Sequence, residues 1–221
     1  MKNEKDLLSL IQTCNPVYGC SIGCPYCYAR RLNTRFKITP DFSIPTIMPK
    51  ALDKIHTRVP HAFLMTSMSD FSGWPIEWRT KVFEEMKKYP KNTYLFLTKR
   101  PELINIDCRD QRNVYLGVTI TGKTDAARIQ KMKQTMKAAN YFVTIEPLHN
   151  DVGKIDLTGI SYLFVGAETG NRAGKPIPKK EWVDNIVSQA DKAGCGVWMK
   201  DSLLPIVVGE KDFRQDKFPW Q

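Results

Sequence analysis

Seven short runs of β-prone residues recur along the chain with amphipathic segments between them, and this alternation restricts the fold more than any other feature. The runs are Pro16–Gly19, Ala62–Ser67, Thr93–Thr98, Val114–Ile120, Tyr141–Ile145, Tyr162–Gly166 and Gly196–Met199. Most are nearly continuous in apolar residues, as strands covered on both faces are. Between them, Met48, Leu52 and Ile55 share one helical face, as do Ile129, Met132 and Met136, and Trp182, Ile186 and Ala190. Pro75 and Gly194 are placed to open one helix and close another. Repeated β-α-β units call for a parallel α/β sheet. Six or seven strands are too few for a closed eight-stranded barrel, so the expectation is an open partial (β/α)6-type barrel. There is no repeat, low-complexity tract or linker, which makes residues 1–221 one domain. Residues 205–221 form a tail whose Phe213, Phe218 and Trp220 are expected to pack on the barrel.

The strongest chemical signal is Cys20-Ser-Ile-Gly-Cys24-Pro-Tyr-Cys27-Tyr28. Three thiols spaced C-x3-C-x2-C can ligate three irons of a [4Fe–4S] cluster, whereas clusters that only carry electrons usually take four cysteines. An iron left without a protein ligand is open to a small molecule. Two other uses of the thiols fit less well. Structural zinc needs four ligands, yet Cys108 and Cys195 are isolated and His56, His61 and His149 stand alone in the sequence. A disulfide scaffold would be shorter and denser in cysteine, and Met1–Lys5 is charged, with no apolar leader core.

Composition adds boundaries. Apolar residues at 42% and charged residues at 25% are ordinary for a globular chain, and no apolar run approaches the roughly 20 residues that span a bilayer. The expected setting is the cytoplasm, without a membrane, where thiols stay reduced. The net charge of +10 favours anionic partners. Lys87, Lys88, Lys131, Lys133 and Lys137 read as solvated helix faces, while Arg30, Arg31, Arg35 and Lys37, directly after the cysteines, are the better anion site.

The cysteine spacing, with an aromatic residue before the last Cys, resembles the radical S-adenosylmethionine (radical SAM) superfamily. The resemblance extends to Asn15-Pro16-Val17, Ser67-Met68-Ser69-Asp70, Leu97-Thr98-Lys99-Arg100-Pro101, Leu116-Gly117-Val118-Thr119, Ile145-Glu146-Pro147-Leu148, Val165-Gly166-Ala167-Glu168-Thr169-Gly170, Lys175-Pro176 and Trp182. In that order they look like a small phage-associated radical SAM family known mainly as a domain of unknown function. It covers about Cys14 to Lys200 and departs from its pattern at Cys14 and Ala167. The resemblance implies a [4Fe–4S] cluster on Cys20, Cys24 and Cys27 at the C-terminal rim of the barrel. SAM would sit on the open iron, with Tyr26 against the adenine. Ser67, Ser69 and Asp70 stand where the superfamily has Gly-Gly-Glu around the methionyl amino group. Lys99, Thr119 and Glu146, at later strand ends, are candidates for the methionyl carboxylate and the ribose.

The expected activity is reductive cleavage of SAM to a 5′-deoxyadenosyl radical that abstracts hydrogen from a substrate, the electron coming from a donor such as a flavodoxin or ferredoxin. Glu168, Arg172, Lys200 and Asp201 are the substrate-side candidates. Charge and phage association favour a nucleotide or nucleic acid. The alternatives are a peptide or protein substrate, as for a glycyl-radical activase, and a non-catalytic iron–sulfur electron carrier. Cys14 and Cys195 read as buried small hydrophobes that precede their strands, at the far end from the cluster.

Overall fold

The computed structural model describes residues 10–207 and 212–221; Met1–Lys5 lies outside them. The chain divides into two compact units at the Thr98–Lys99 junction. Among the described residues no helix is long and apolar enough to cross a membrane.

In the unit ending at Thr98, three parallel strands lie in the order β1 (Ile11–Thr13), β4 (Ala62–Leu64), β5 (Thr93–Thr98). Ile11 stands opposite Ala62, and Ala62 opposite Thr93. Between β1 and β4 the chain forms an antiparallel ribbon of β2 (Val17–Tyr18) and β3 (Thr46–Ile47), with helix α1 (Tyr28–Phe36) between its strands. The run at Pro16–Gly19 is therefore a ribbon strand, and the strand that enters the parallel sheet is the three-residue β1. The Met48–Ile55 segment is a 3-10 helix, Pro49–Ile55, burying Leu52 and Ile55. Helix α2 (Ile76–Lys87), capped by Pro75, connects β4 to β5 and buries Val82, Phe83 and Met86.

The unit from Lys99 onward holds the parallel strands β7 (Val114–Ile120), β9 (Asn140–Ile145), β10 (Ile160–Val165) and β11 (Gly196–Met199) in that order. A small parallel pair, β6 (Ile106–Cys108) and β8 (Met136–Ala138), forms a separate two-stranded sheet. Helix α3 (Ala127–Thr135) packs on β7 and α4 (Lys180–Ala193) on β11. Ile129 and Met132 of α3 are buried, as are Val183, Ile186 and Ala190 of α4, which Gly194 ends in the left-handed conformation. Met136 is buried too, but as the first residue of β8, and Trp182 is only half-buried. No helix joins β9 to β10. The chain is thus α/β with parallel strands, and the β9–β10 connection departs from strict β/α repetition.

On the other face of these strands, alternation and register align Gly117, Phe142 and Tyr162, then Thr119, Thr144, Phe164 and Trp198. The tail covers this face. Phe218 stacks on Trp198 at 4.9 Å and on Trp220 at 4.8 Å, and meets Tyr162 at 5.1 Å. Main-chain bonds from Met199 N to Arg214 O and from Asp216 N to Val197 O fasten it to β11. A Cβ at Gly117 or Gly196 would lie 2.5 Å from the Phe142 ring or 2.6 Å from the Tyr162 ring, so close approach of the rings demands glycine there. Of the three tail aromatics, Phe218 is buried while Phe213 and Trp220 are half-buried; residues 208–211 lie outside the described residues.

Candidate functional site

The cysteine loop is built on the ends of β1 and β4. Gly19 N–H donates to Met68 O at 3.0 Å and Cys20 N–H to Phe42 O at 2.6 Å, so two strands of chain hold the residue on which the loop starts. Gly19 bridges Ser69 in parallel fashion, at φ +100°. A Cβ there would lie 2.5 Å from Ile44 O, so position and dihedral both require glycine. Cys20 and Cys27 pack against a buried cluster of Ala29, Phe42 and Met68. Cys27 is the N-cap of α1, its Sγ accepting from Arg30 N–H at 3.4 Å. Cys20 Sγ accepts from Ile22 N–H at 3.5 Å. Burial raises the Cys20 thiol, the Ile22 N–H works against it, and repulsion from the nearby Asp70, Cys24 and Cys27 adds a smaller upward push. A soft cation reverses that repulsion. Among the described residues no three His, Cys, Asp or Glu side chains are already gathered as a metal-holding group. In chemistry, three thiols are a donor set that suits an iron–sulfur cluster.

Beside the loop, Asn15 acts as a clamp that sequence reasoning missed. Its Oδ1 accepts from Ser67 Oγ at 2.9 Å and from Met68 N–H at 3.0 Å. Ser69 Oγ accepts from Trp74 Nε1 at 2.9 Å. Asp70 Oδ1 accepts from Thr98 Oγ1 at 2.6 Å and from both N–H and Oγ of Ser72. Ser67, Ser69 and Asp70 therefore shape the turn after β4 through their own side chains, whatever else they contact. Tyr26 is half-buried within the loop, and Tyr28 Oη donates to Ser67 O at 2.6 Å. Of the proposed anion set, Arg30 is committed to Cys20 O at 3.1 Å and to the face of Phe42, while Arg31, Arg35 and Lys37 are exposed.

The later strand ends supply a second group of side chains. Glu146 Oε2 and Lys200 Nζ pair at 2.8 Å, although they were assigned separate roles from sequence. Gly166 lies between them, where a Cβ would stand 3.1 Å from Glu146 Oε1 and 3.2 Å from Lys200 Cδ. On the same face, Thr119 Oγ1 is buried with no hydrogen-bond partner, a rare condition that a ligand hydroxyl would relieve. Glu168 and Arg172 also come together: Nε and Nη2 of Arg172 donate to the carboxylate at 2.6 and 2.7 Å. His149 Nε2 completes the group at 2.7 Å from Glu168 Oε2, so this histidine is not isolated. Arg172 first, and His149 after it, lower the Glu168 carboxyl to about 2. A carboxylate held ionised only accepts, which requires the proton on His149 Nε2. Lys99 is half-buried just after β5, and Asp201 opens the 3-10 turn Asp201–Leu203.

The remaining cysteines are structural. Cys14, Cys108 and Cys195 are buried, and burial pushes each thiol up to about 12. Cys195 precedes β11 as expected. Cys14 instead follows β1, so it does not lie at the far end of its strand; its N–H donates to Leu64 O and its Sγ to Ala51 O. Cys108 ends β6.

No curated protein and no solved structure matches the chain. A family model described as Protein of unknown function (DUF5131) matches residues 9–202, and the chain belongs to that family.

Proposed function

We propose that this chain is a radical SAM enzyme that binds a [4Fe–4S] cluster through Cys20, Cys24 and Cys27 and uses it to cleave SAM reductively. The observation that carries the reading is the build of the cysteine loop. Cys20 and Cys27 lie against a buried apolar cluster, Cys27 also caps a helix N-terminus, and Cys24 lies between them, on a backbone that only glycine permits at position 19. The fold that goes with this reading is an open partial (β/α)6-type barrel with the cluster at the C-terminal ends of its strands. When bound, the cluster supplies one electron and SAM supplies the hydrogen-abstracting adenosyl group.

The chain's own residues bind and orient. The orphaned Thr119 hydroxyl and the Glu146–Lys200 pair offer a hydroxyl, a carboxylate and an ammonium to a polar ligand. Arg172 neutralises Glu168, and Glu168 fixes the imidazole of His149 through its Nε2 proton. The net charge of +10 supports an anionic substrate, a nucleotide or nucleic acid, and six free cysteines suit a reducing compartment such as the cytoplasm. The test is anaerobic reconstitution, reduction with dithionite, addition of SAM and quantification of 5′-deoxyadenosine beside a Cys24→Ala control. Formation by the wild type only supports the reading. Equal traces from both proteins, or failure of the wild type to hold iron and bind SAM, overturn it.

A further inference from the structure

Helix α1 has its amphipathic faces reversed. Its buried positions are Ala29 and Asn33. Asn33 is held there by Thr39: its Nδ2 donates to Thr39 O at 3.0 Å, and its Oδ1 accepts from Thr39 N–H at 2.8 Å and from Thr39 Oγ1 at 3.2 Å. The outward stripe is Tyr28, Leu32 and Phe36, spaced i, i+4, i+8 and exposed by 49%, 37% and 58%. Ile38 continues the apolar surface. Arg31 and Arg35 flank the stripe, Lys37 follows it, and no Asp or Glu occurs between Cys20 and Pro40. The stripe runs about 12 Å along the helix axis. Large aliphatic and aromatic side chains held in water by a pinned helix mark a contact surface, and aromatics with arginine are what the centres of protein interfaces favour.

Charge selects the occupant. A second copy of the chain would set these cations against themselves, so the partner is acidic. Position narrows it further, because Cys27 caps the helix and Tyr28 is its first residue, so the stripe begins next to a proposed cluster ligand. We propose that this face docks an acidic one-electron carrier protein of the ferredoxin class, which reduces a cluster held by Cys20, Cys24 and Cys27. The proposal rests on the radical SAM reading. One electron leaves the reduced carrier, which is oxidised, and enters the cluster, taking it from the dication to the monocation; no bond is made or broken. Electron-transfer encounters are small, burying less than about 1,200 Å² in total, which one helix face and its flanking loop can supply.

The test compares wild type with Phe36→Asp and with Leu32→Asp, both at exposed positions. Calorimetric titration with a bacterial ferredoxin reads docking directly. Formation of 5′-deoxyadenosine is then driven either by that ferredoxin, chemically reduced, or by dithionite. Docking here predicts binding weakened about tenfold or more in both variants and ferredoxin-driven turnover lost, with dithionite-driven turnover unchanged. Variants that bind and are driven like wild type overturn the docking site and leave the enzyme reading intact, as does loss of single-stranded DNA binding with ferredoxin binding unaffected. A wild type inert with dithionite overturns the enzyme reading, and the carrier proposal with it.

Discussion

Replacing Glu168 by Gln tests the arrangement around the buried carboxylate. The Glu168 side chain is 3% exposed and accepts from Arg172 and His149. A carboxyl lowered from 4.5 to about 2 corresponds to about 3 kcal/mol of favourable pairing. Arg172 is 29% exposed and can turn partly into water when its partner is lost, which brings the expected cost of Glu168→Gln to about 2 kcal/mol. In a chain of this length that lowers the melting temperature by about 4–8 °C. The charge also sets a pH signature. Because the folded-state value lies below the unfolded one, the stabilisation is complete well above pH 4.5 and drains away as pH falls toward about 2. Urea unfolding of wild type and Glu168→Gln under reducing conditions should therefore show the full gap at pH 6 and less than about half of it at pH 3. A gap of equal size at both pH values would refute the reasoning, since it would locate the loss in packing rather than in the ionised carboxylate.

Gly19→Ala forces a Cβ to 2.5 Å from Ile44 O at φ +100°; a loss of about 2–4 kcal/mol with poor iron incorporation is expected, by thermal melting and iron analysis. Phe218→Ala removes the ring that joins Trp198, Trp220 and Tyr162 and should cost about 3–5 kcal/mol in chemical denaturation. Alkylation of the folded apoprotein at pH 8 should label the half-buried Cys20, Cys24 and Cys27, while Cys14, Cys108 and Cys195, buried with thiols near 12, stay unlabelled by mass spectrometry. Equal labelling of all six would contradict that burial.

The strands β7, β9, β10 and β11 were readable because each is a nearly continuous apolar run between turn residues: Val114–Ile120 and Gly196–Met199 coincide with β7 and β11. The three-residue β6 and β8 were not, and Met136 was read onto a helix. The earlier unit was harder. Ile11-Gln12-Thr13 is too short and mixed to signal a strand, and Val17–Tyr18 has strand chemistry but pairs in a ribbon. That displaced strand is why Cys14 was placed at the wrong end. Helix α1 escaped notice because periodicity arguments look for apolar residues facing in, and here Ala29 and Asn33 do so. Glu168 and Arg172, four residues apart, were singled out together. His149 was not, because its bond to Glu168 spans 19 residues and depends on the chain turning after β9.

The central claim is an open iron on a three-cysteine cluster. Its most direct test is electron paramagnetic resonance of the anaerobically reconstituted, dithionite-reduced protein, recorded with and without SAM and normalised to measured iron. About four irons per chain are expected, with a reduced-cluster signal whose g-values shift when SAM is added, and loss of both in Cys24→Ala. A cluster signal indifferent to SAM, or one that survives Cys24→Ala, would contradict it.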